Sequence, residues 1–344
     1  MRLTTEQLRS IALGAARIVE ESGRPHFFRF TPAEDALYIA RDASLHSNFH
    51  DRALCSAGVK LLFKTKSKTL GIAAEVAKRS SRSFFAFDVC ADGRYLGSLA
   101  NFNEKAMPAG YTSAEMPFPL GRFEKEFALG DGEKTVAVYF PWSVEILDFV
   151  LTLDDGASVT PVKPSKKMLV YGDSITQGYD ALLPSHRYGA RLAEALDAEE
   201  VNKAIGGEVF FPTLAEQVAE FIPDIITVAY GTNDWSTTNG ASFLAAARAF
   251  FAALVKNYPS AKIFAITPIY RKDMTASKPF GAFSTVADRL REATAGLSTV
   301  TVVDGFNLVP HKHTLYADLR LHPSDAGFDH YAENLIAEIK KYFV

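Results

Sequence analysis

The chain has 344 residues, of which 48% are hydrophobic, so it can bury enough core for two domains. Its 37 basic and 40 acidic residues give a formal net charge of -3, and this mixture of signs leaves no electrostatic footprint for nucleic acid. Two cysteines in such a length favour reduced thiols, although two would suffice for one disulfide.

Residues 1–24 are predicted to form an amphipathic helix packed on the body of the protein. Thr4 and Gln7 fit a capping box, and apolar residues recur at helical spacing as far as Val19. The longest early apolar stretch, residues 11–16, is too short for the core of a secretory signal. A later stretch, residues 243–255, is too short for a membrane span. We therefore expect a cytoplasmic protein that does not bind membranes.

Residues 25–160 are predicted to form a β-rich domain. Short apolar runs alternate with turn residues, a pattern typical of an antiparallel sandwich or jelly roll. The clearest runs are residues 36–40, 59–63, 83–87, 135–140 and 144–146. The stretch 154–165 is rich in small, polar and proline residues, which is typical of a linker between domains.

Residues 161–344 are predicted to form an α/β domain, because strand and helix patterns alternate along them. The predicted strands are residues 168–171, 199–202, 225–230, 262–267 and 299–303. The predicted helices are residues 186–197, 212–221, 241–257, 282–296 and 327–342. This alternation predicts a parallel sheet with helices on both faces.

A serine stands directly after the first strand of this domain, in Gly172-Asp173-Ser174. The carboxyl edge of a parallel sheet is where active-site residues collect. Serine is a weak nucleophile that needs a base and a preorganised oxyanion site. Asp173 is expected to hydrogen-bond the turn that presents Ser174.

Three later motifs can supply what the serine needs. Gly207, in a glycine pair, can bring a backbone N–H close to a ligand. Asn233 follows the strand 225–230, and its side-chain amide can donate to a developing negative charge. His322 lies near the C-terminus and can transfer a proton near neutral pH. Each motif alone is an ordinary turn or strand end, but their order together favours a hydrolase.

Trp235 comes two residues after Asn233, which leaves two readings of its indole ring. It could face the mouth of the site and stack on a sugar ring or an acyl group. It could equally be a core tryptophan beneath the loop. We expect it to bind substrate, because residues 234–236 lie beyond the predicted strand.

This order of serine, glycine, asparagine and histidine resembles the SGNH hydrolases, also called the GDSL esterases and lipases. The resemblance runs from about Lys167 to the C-terminus and implies a flavodoxin-like sheet. It also implies that Ser174 is the nucleophile and His322 the base. The backbone N–H groups of Ser174 and Gly207 and the side chain of Asn233 would form the oxyanion hole. No metal or organic cofactor is implied.

The acidic member of the triad departs from the family pattern. The family usually has an acid three residues before the histidine, where this chain has Leu319, and the nearest aspartate is one residue further back, at Asp318. We expect a bulge to absorb the extra residue, so that Asp318 orients His322 as the third catalytic residue. Alternatively, a backbone carbonyl could accept the Nδ1 proton of the imidazole. The resemblance to some carbohydrate esterases of this family, which work with a Ser-His dyad, allows this arrangement.

A β-rich domain before such a catalytic domain resembles the layout of some carbohydrate esterases. The resemblance implies a serine esterase that removes a short acyl group, acetyl above all, from a carbohydrate or similar small polar molecule. An acyltransferase with the same residues and a non-catalytic carbohydrate-binding protein are the alternatives. The β domain could form a wall of the cleft or only brace the catalytic domain. The identity of the acyl group, the alcohol and the oligomeric state are not predicted.

Overall fold

The structure is a computed structural model that describes residues 1–103, 107 and 117–343. The helices of its N-terminal part are α1 (Thr5–Ile11), α2 (Pro32–Leu45) and α3 (Phe49–Ala53). The strands of this part are β1 (Ala12–Leu13), β2 (Arg17–Glu21), β3 (Arg24–Phe28), β4 (Lys60–Thr65), β5 (Thr69–Lys78), β6 (Ala86–Ala91), β7 (Arg94–Ala100), β8 (Gly121–Ala128), β9 (Lys134–Tyr139), β10 (Val144–Leu153) and β11 (Thr160–Pro161).

The strands from β4 to β10 build two antiparallel sheets that pack face to face. Within the described residues, one sheet has the order β1-β4-β9-β6-β7, with β11 paired to β4, and the other has the order β10-β5-β8. Their inner faces share one apolar core, in which Phe87 and Phe140 of the first sheet contact Phe149 of the second, with ring centroids 5.7 and 4.9 Å away. This arrangement is a β-sandwich, as predicted.

The helix predicted over residues 1–24 is wrong beyond its first turns. The capping box of Thr4 and Gln7 is present, but α1 ends at Ile11. The chain then forms the hairpin of β2 and β3, whose two-residue turn, Ser22-Gly23, has positive φ at both positions. Such turns match the twist of paired strands, and this signal outweighed the helical spacing.

The strand predicted over residues 36–40 is also wrong, because these residues lie in α2. Thr31 caps this helix: its hydroxyl accepts the Glu34 N–H, the Glu34 carboxylate accepts the Thr31 N–H, and Pro32 occupies the first turn. A reciprocal cap followed by proline at the first helical position is a strong helix start. The short apolar run was therefore part of a helix with one buried face.

The C-terminal part holds a parallel sheet. Its strands are β12 (Lys166–Gly172), β13 (Ala198–Asn202), β14 (Ile225–Ala229), β15 (Lys262–Ile266) and β16 (Val300–Val303). The strand order β13-β12-β14-β15-β16 is the flavodoxin-like order 2-1-3-4-5 when these strands are counted from β12. Each described pairing in this sheet is parallel, which confirms the predicted fold class.

Helices cover both faces of the parallel sheet. They are α4 (Ser174–Gln177), α5 (Tyr188–Ala195), α6 (Pro212–Ala215), α7 (Thr232–Thr237), α8 (Gly240–Asn257), α9 (Thr285–Thr294) and α10 (Asp325–Lys340). Met168 and Val170 of β12 pack into the core beneath α5 and α10, whereas Leu169 and Tyr171 pack into the core beneath α8 and α9. The helix predicted at 212–221 is only the single turn of α6.

Buried polar contacts join the two parts of the chain. The guanidinium of Arg29, which is fully buried, donates to the carbonyl oxygens of Asn202 and Ala204 at 3.0 Å each. Lys203 lies between these two residues, and its ammonium pairs with the buried carboxylate of Glu34 at 2.6 Å. The loop after β13 is therefore held from the N-terminal side. No helix within the described residues is long and apolar enough to cross a membrane.

Candidate active site

A cleft of about 260 Å³ lies at the carboxyl edge of the parallel sheet. Strands β12 and β14 pair along their length, with Gly172 opposite Ala229, so the segments that follow them emerge side by side. Ser174 follows β12, Asn233 follows β14, and Gly207 lies in the loop after β13. The structure thus brings all three predicted residues to one cleft, together with His322.

Ser174 stands at the start of α4. The buried Asp173 carboxylate caps this helix by accepting the Ile175 N–H at 3.0 Å, as predicted for this residue. Burial raises the pKa of Asp173 to about 7. The N–H groups of Gly178 and Tyr179 both donate to the Ser174 carbonyl oxygen, which fixes the other side of the turn. The serine hydroxyl is therefore presented on a rigid support.

His322 lies between the serine and an acid. Its Nε2 is 2.9 Å from Ser174 Oγ, and its Nδ1 is 3.0 Å from Asp318 Oδ2. The other oxygen of Asp318 accepts the backbone N–H groups of Arg320, Leu321 and His322. The group at Nδ1 is thus a carboxylate, which is the first of the two arrangements considered from the sequence.

The extra residue between the aspartate and the histidine is accommodated at Leu319. Its φ of 56° is left-handed, and the turn around it lets one carboxylate oxygen of Asp318 bind the backbone while the other reaches the imidazole. The side chain of Leu319 points outward and is 37% exposed. The longer spacing is therefore absorbed in the turn and does not displace the acid.

A second carboxylate, that of Asp180, also reaches His322. Its Oδ2 lies 3.1 Å from Nδ1, and the side chain is fully buried. Both of its oxygens accept from the Arg82 guanidinium, at 2.7 and 3.1 Å. Sequence reasoning missed both residues, because Arg82 belongs to the β-rich part and no local pattern links it to the residue 98 positions later.

The two acids control the proton affinity of the imidazole. Burial alone would lower the pKa of His322, but the hydrogen bonds and charges of Asp180 and Asp318 raise it to about 9. Burial opposes ionisation of Asp318 as well, yet the hydrogen bond and charge of His322 hold its pKa well below the ordinary value. The site therefore favours an imidazolium flanked by carboxylates.

Besides the backbone N–H of Ser174, two groups in the cleft can donate to an oxyanion. Gly207 has a φ of 85°, and the N–H of the preceding Gly206 donates to Gln177 Oε1 at 2.7 Å, which fixes the glycine loop. One N–H of the Asn233 amide donates to the Glu208 carbonyl oxygen at 3.0 Å. An asparagine amide has a second N–H donor, so this bond orients the side chain and leaves a donor for a ligand.

The structure contradicts the expectation that Trp235 faces the mouth of the cleft. Its side chain is fully buried, its Nε1 donates to the Gly281 carbonyl oxygen at 2.8 Å, and its ring packs edge-on against Phe283. The residue lies on the inner face of the short helix α7, which turns it into the core. The alternative interpretation, a core tryptophan, is the one that the structure supports.

Asp180, Asp318 and His322 could in principle ligate a metal, because their ligand atoms all lie within 4.8 Å of one another. Their geometry fits another role better. Both oxygens of Asp180 already accept from Arg82, and His322 directs its other nitrogen at Ser174. These contacts form a hydrogen-bonded network centred on the imidazole.

The β-rich part contributes to the cleft wall. Arg52, Ser81 and Arg82 line it together with the glycine loop and the histidine. Tyr179 also lines the cleft, and its ring lies 4.7 Å from that of Trp142, whose carbonyl oxygen accepts from the Gln177 amide. The N-terminal part therefore both lines the cleft and supports the turn after the serine.

The family model described as GDSL-like Lipase/Acylhydrolase matches residues 170–330. The salicylyl-acyltransferase SsfX3 from a tetracycline biosynthetic pathway aligns over 97% of this chain and 94% of its own, with a TM-score of 0.76 and 19% identity. A Bacteroides ovatus protein described as a GDSL-like lipase aligns over 100% of this chain and 98% of its own, with a TM-score of 0.74 and 17% identity.

A family two carbohydrate esterase from Cellvibrio japonicus is also similar. It aligns over 99% of this chain and 97% of its own, with a TM-score of 0.65 and 17% identity. These similarities extend over both parts of the chain and show a shared two-part fold. A comparison with curated protein sequences gives no match.

Proposed function

We propose that this chain is a serine esterase for short acyl esters. Its residues 170–330 match the GDSL-like lipase/acylhydrolase family, which makes it a carboxylic ester hydrolase. The acyl group is acetyl and the alcohol a carbohydrate or similar small polar molecule. The observation that carries the proposal is the 2.9 Å contact of Ser174 Oγ with His322 Nε2 in a cleft that Gly207 and Asn233 also line.

In the first half of the reaction, Ser174 Oγ attacks the ester carbonyl carbon while His322 Nε2 takes the hydroxyl proton. The resulting oxyanion accepts from the N–H groups of Ser174 and Gly207 and from the Asn233 amide. The carboxylates at Nδ1 stabilise the imidazolium formed in this step. His322 then protonates the leaving alcohol as the tetrahedral intermediate collapses to the acyl-enzyme.

In the second half, water replaces the alcohol. His322 takes a proton from water, the hydroxide attacks the acyl carbon, and the same donors hold the second oxyanion. Ser174 recovers its proton from the imidazolium and the acid is released. Every step uses side chains and backbone groups of this chain.

The size and lining of the cleft support a small polar ester. Its volume of about 260 Å³ lies just below the usual range for ligand pockets, which begins at about 300 Å³. Its walls present guanidinium, hydroxyl and amide groups, which suit the hydroxyls of a sugar better than a long alkyl chain. The carbohydrate esterase from Cellvibrio japonicus, which shares the fold, is consistent with this substrate class.

The test is a panel of p-nitrophenyl esters of increasing acyl length together with acetylated sugars. We expect hydrolysis that declines beyond short acyl chains and that Ser174→Ala abolishes without unfolding the protein. A serine-directed phosphonate should label the native protein and leave this variant unlabelled. Absence of labelling and turnover would favour the non-catalytic carbohydrate-binding alternative.

An acyltransferase remains the second candidate, because the acyltransferase SsfX3 shares the fold over nearly the whole chain. The same residues would pass the acyl group to an acceptor alcohol in place of water. Product analysis with and without an added acceptor sugar separates the two reactions. Acylated acceptor as the main product would replace the hydrolase proposal.

A further inference from the structure

The wall of the active-site cleft is cationic, although the chain as a whole carries a net charge of -3. Three arginines line the cleft, namely Arg52, Arg82 and Arg320, and no carboxylate is among the lining residues in the part of the chain that the structure describes. The acids of the site stand behind this wall: Asp180 is fully buried, and Asp318 is 12% exposed. A ligand in the cleft therefore meets guanidinium groups first.

Two of these arginines are already paired with acids. Arg82 donates to both oxygens of Asp180, as described above. Arg320 pairs with Asp273 at 3.2 Å, and Asp273 also accepts from Arg271. Each of these two arginines therefore has an acid partner within the protein, which Arg320 shares with Arg271.

Arg52 differs from the other two, because within the described residues no carboxylate lies in salt-bridge range of it. One of its N–H groups, on Nη1, donates to the Gly206 carbonyl oxygen at 2.8 Å. A guanidinium carries five N–H donors, so most of its hydrogen-bonding capacity is unused by this contact. The charge of Arg52 is thus left for solvent or for a ligand in the cleft.

The guanidinium of Arg52 is close to the oxyanion site. A Cβ placed on Gly207 would lie 3.5 Å from Arg52 Nη1. The N–H of Gly207 is the group proposed to bind the ester oxygen, so a substituent a few bonds from the ester can reach Arg52. The short distance between Gly207 and Arg52 means that an anionic group on the substrate would lie close to the ester bond.

The short helix that carries Arg52 is fixed at both ends, so the side chain starts from a defined position. At its start, the Asp42 carboxylate accepts the N–H groups of Phe49 and His50 at 2.8 and 2.7 Å. At its end, the buried Arg29 donates to the Arg52 carbonyl oxygen at 2.9 Å. A preorganised guanidinium loses little freedom when it binds an anion.

We propose that the substrate is an ester that carries a carboxylate near the ester bond, and that Arg52 binds this carboxylate. The inference rests on the proposed esterase function and narrows its substrate class. The fork of a guanidinium matches the two oxygens of a carboxylate, and such charge-assisted pairs are stronger than neutral hydrogen bonds. The carboxylate can belong to the alcohol, as in an acetylated uronic acid, or to the acyl group, as in a hemisuccinate, in which case a short dicarboxylic acyl group replaces acetyl.

The test compares kcat/KM within matched ester pairs. One pair is a hemisuccinate and the methyl succinate of the same alcohol, and the other is an acetylated uronic acid and the corresponding acetylated neutral sugar. We expect native protein to prefer the anionic member of one pair by about tenfold or more, since a charge-assisted pair is worth that much. The pair that shows the preference identifies the side of the ester that carries the charge.

Arg52→Gln should remove this preference, and Arg52→Lys should retain part of it because the charge remains. Arg248→Gln is the matched control, because Arg248 is exposed on α8 and pairs with Glu292. The ratio of kcat/KM for the anionic and neutral esters should be the same in Arg248→Gln as in the native protein. The neutral ester serves as an internal reference, so any loss caused by the missing Gly206 contact divides out of the ratio.

Equal turnover of both members of both pairs by the native protein would overturn the inference and leave the esterase proposal intact. An unchanged ratio in Arg52→Gln would also overturn it and assign Arg52 to support of the glycine loop. If no ester of either pair is turned over and the phosphonate does not label Ser174, the proposed function itself fails.

Discussion

His322 has two carboxylates at one nitrogen, and this arrangement sets the pH at which the site can work. The imidazole must be neutral to accept the serine proton, whereas its pKa is raised to about 9 in the free protein. The fraction of competent base therefore increases as the pH rises towards that value. We expect kcat/KM to rise through pH 7 and 8, to reach half of its maximum near pH 9 and to level off about one pH unit higher, because this parameter reports the free enzyme.

Asp180→Asn should move this limb of the pH profile to lower pH. Removing one of two negative charges beside the imidazolium destabilises the protonated form, so the pKa of His322 falls. Asp88→Asn is a suitable control, since Asp88 is also buried and hydrogen-bonded at the junction with Ser185 but does not contact His322. If the pH dependence of kcat/KM is the same in Asp180→Asn as in the native protein, Asp180 does not act on the imidazole.

The two acids should also substitute for each other in part. In Asp318→Asn the Nδ1 proton still has Asp180 as an acceptor, and the reverse holds for Asp180→Asn. We therefore expect each single variant to lose much less than the double variant, whose kcat should fall by about 10⁴-fold, as when a triad loses its only acid. Single-turnover rates measured near pH 9 test this; a full loss in Asp318→Asn alone would contradict it.

At the scale of secondary structure, the buried strands could be predicted from their apolar runs. The strand predicted at residues 36–40 is wrong because a helix cap precedes these residues. The strands of the parallel sheet lie within about two residues of their predicted bounds, because all but β13 are built around an apolar run that the helices cover. Residues 36–40 match the pattern of a short buried strand, but the cap at Thr31 places them in a helix. The order of the motifs predicted Ser174, Gly207, Asn233 and His322, because each follows a strand or precedes a helix within the same domain.

Tertiary packing supplies the site residues that the sequence could not predict. Arg52 and Arg82 reach the cleft from the N-terminal part, and Asp180 reaches His322 behind the cleft wall. No periodicity or spacing encodes these contacts. The side to which Trp235 turns is likewise fixed by how α7 packs on Phe283, and its position in the sequence is compatible with either direction. Local patterns thus locate the catalytic groups, whereas packing selects the groups around them.

The glycine loop gives a prediction at this scale. Gly207 has a φ of 85°, and a Cβ there would make only ordinary contacts, so the cost of Gly207→Ala is conformational, about 1–2 kcal/mol. We expect a loss of that size in unfolding free energy and a fall in kcat as the N–H turns away from the oxyanion. Gly23→Ala is the matched control, with a φ of 75° in an open hairpin turn remote from the cleft.

Both glycine variants should lose similar stability in urea, but only Gly207→Ala should lose kcat. Retention of kcat in a destabilised Gly207→Ala would show that the backbone N–H at this position does not hold the oxyanion. Equal loss of kcat in both variants would attribute the effect to global destabilisation.

At the scale of the whole molecule, the two parts of the chain depend on each other through buried charges. Lys203 belongs to the loop after β13, is 4% exposed, and pairs with Glu34 of α2. Burial lowers the pKa of Lys203, and the charge of Glu34 opposes this effect. Removing one partner leaves an uncompensated charge in a site without solvent, which is costly. The catalytic loop is therefore stable only with the N-terminal part in place.

The double-mutant cycle of Glu34→Gln and Lys203→Met tests this dependence. Each single variant should lose about 3–5 kcal/mol of unfolding free energy, and the double variant should lose less than the sum, because no unpaired charge remains. Lys341→Met is the control, since Lys341 pairs with Glu338 on the surface and its loss should be barely measurable. Since Lys203 stands three residues before Gly206, the single variants should also lower kcat for a neutral ester. Additive losses with unchanged kcat would show that the two parts fold and work independently.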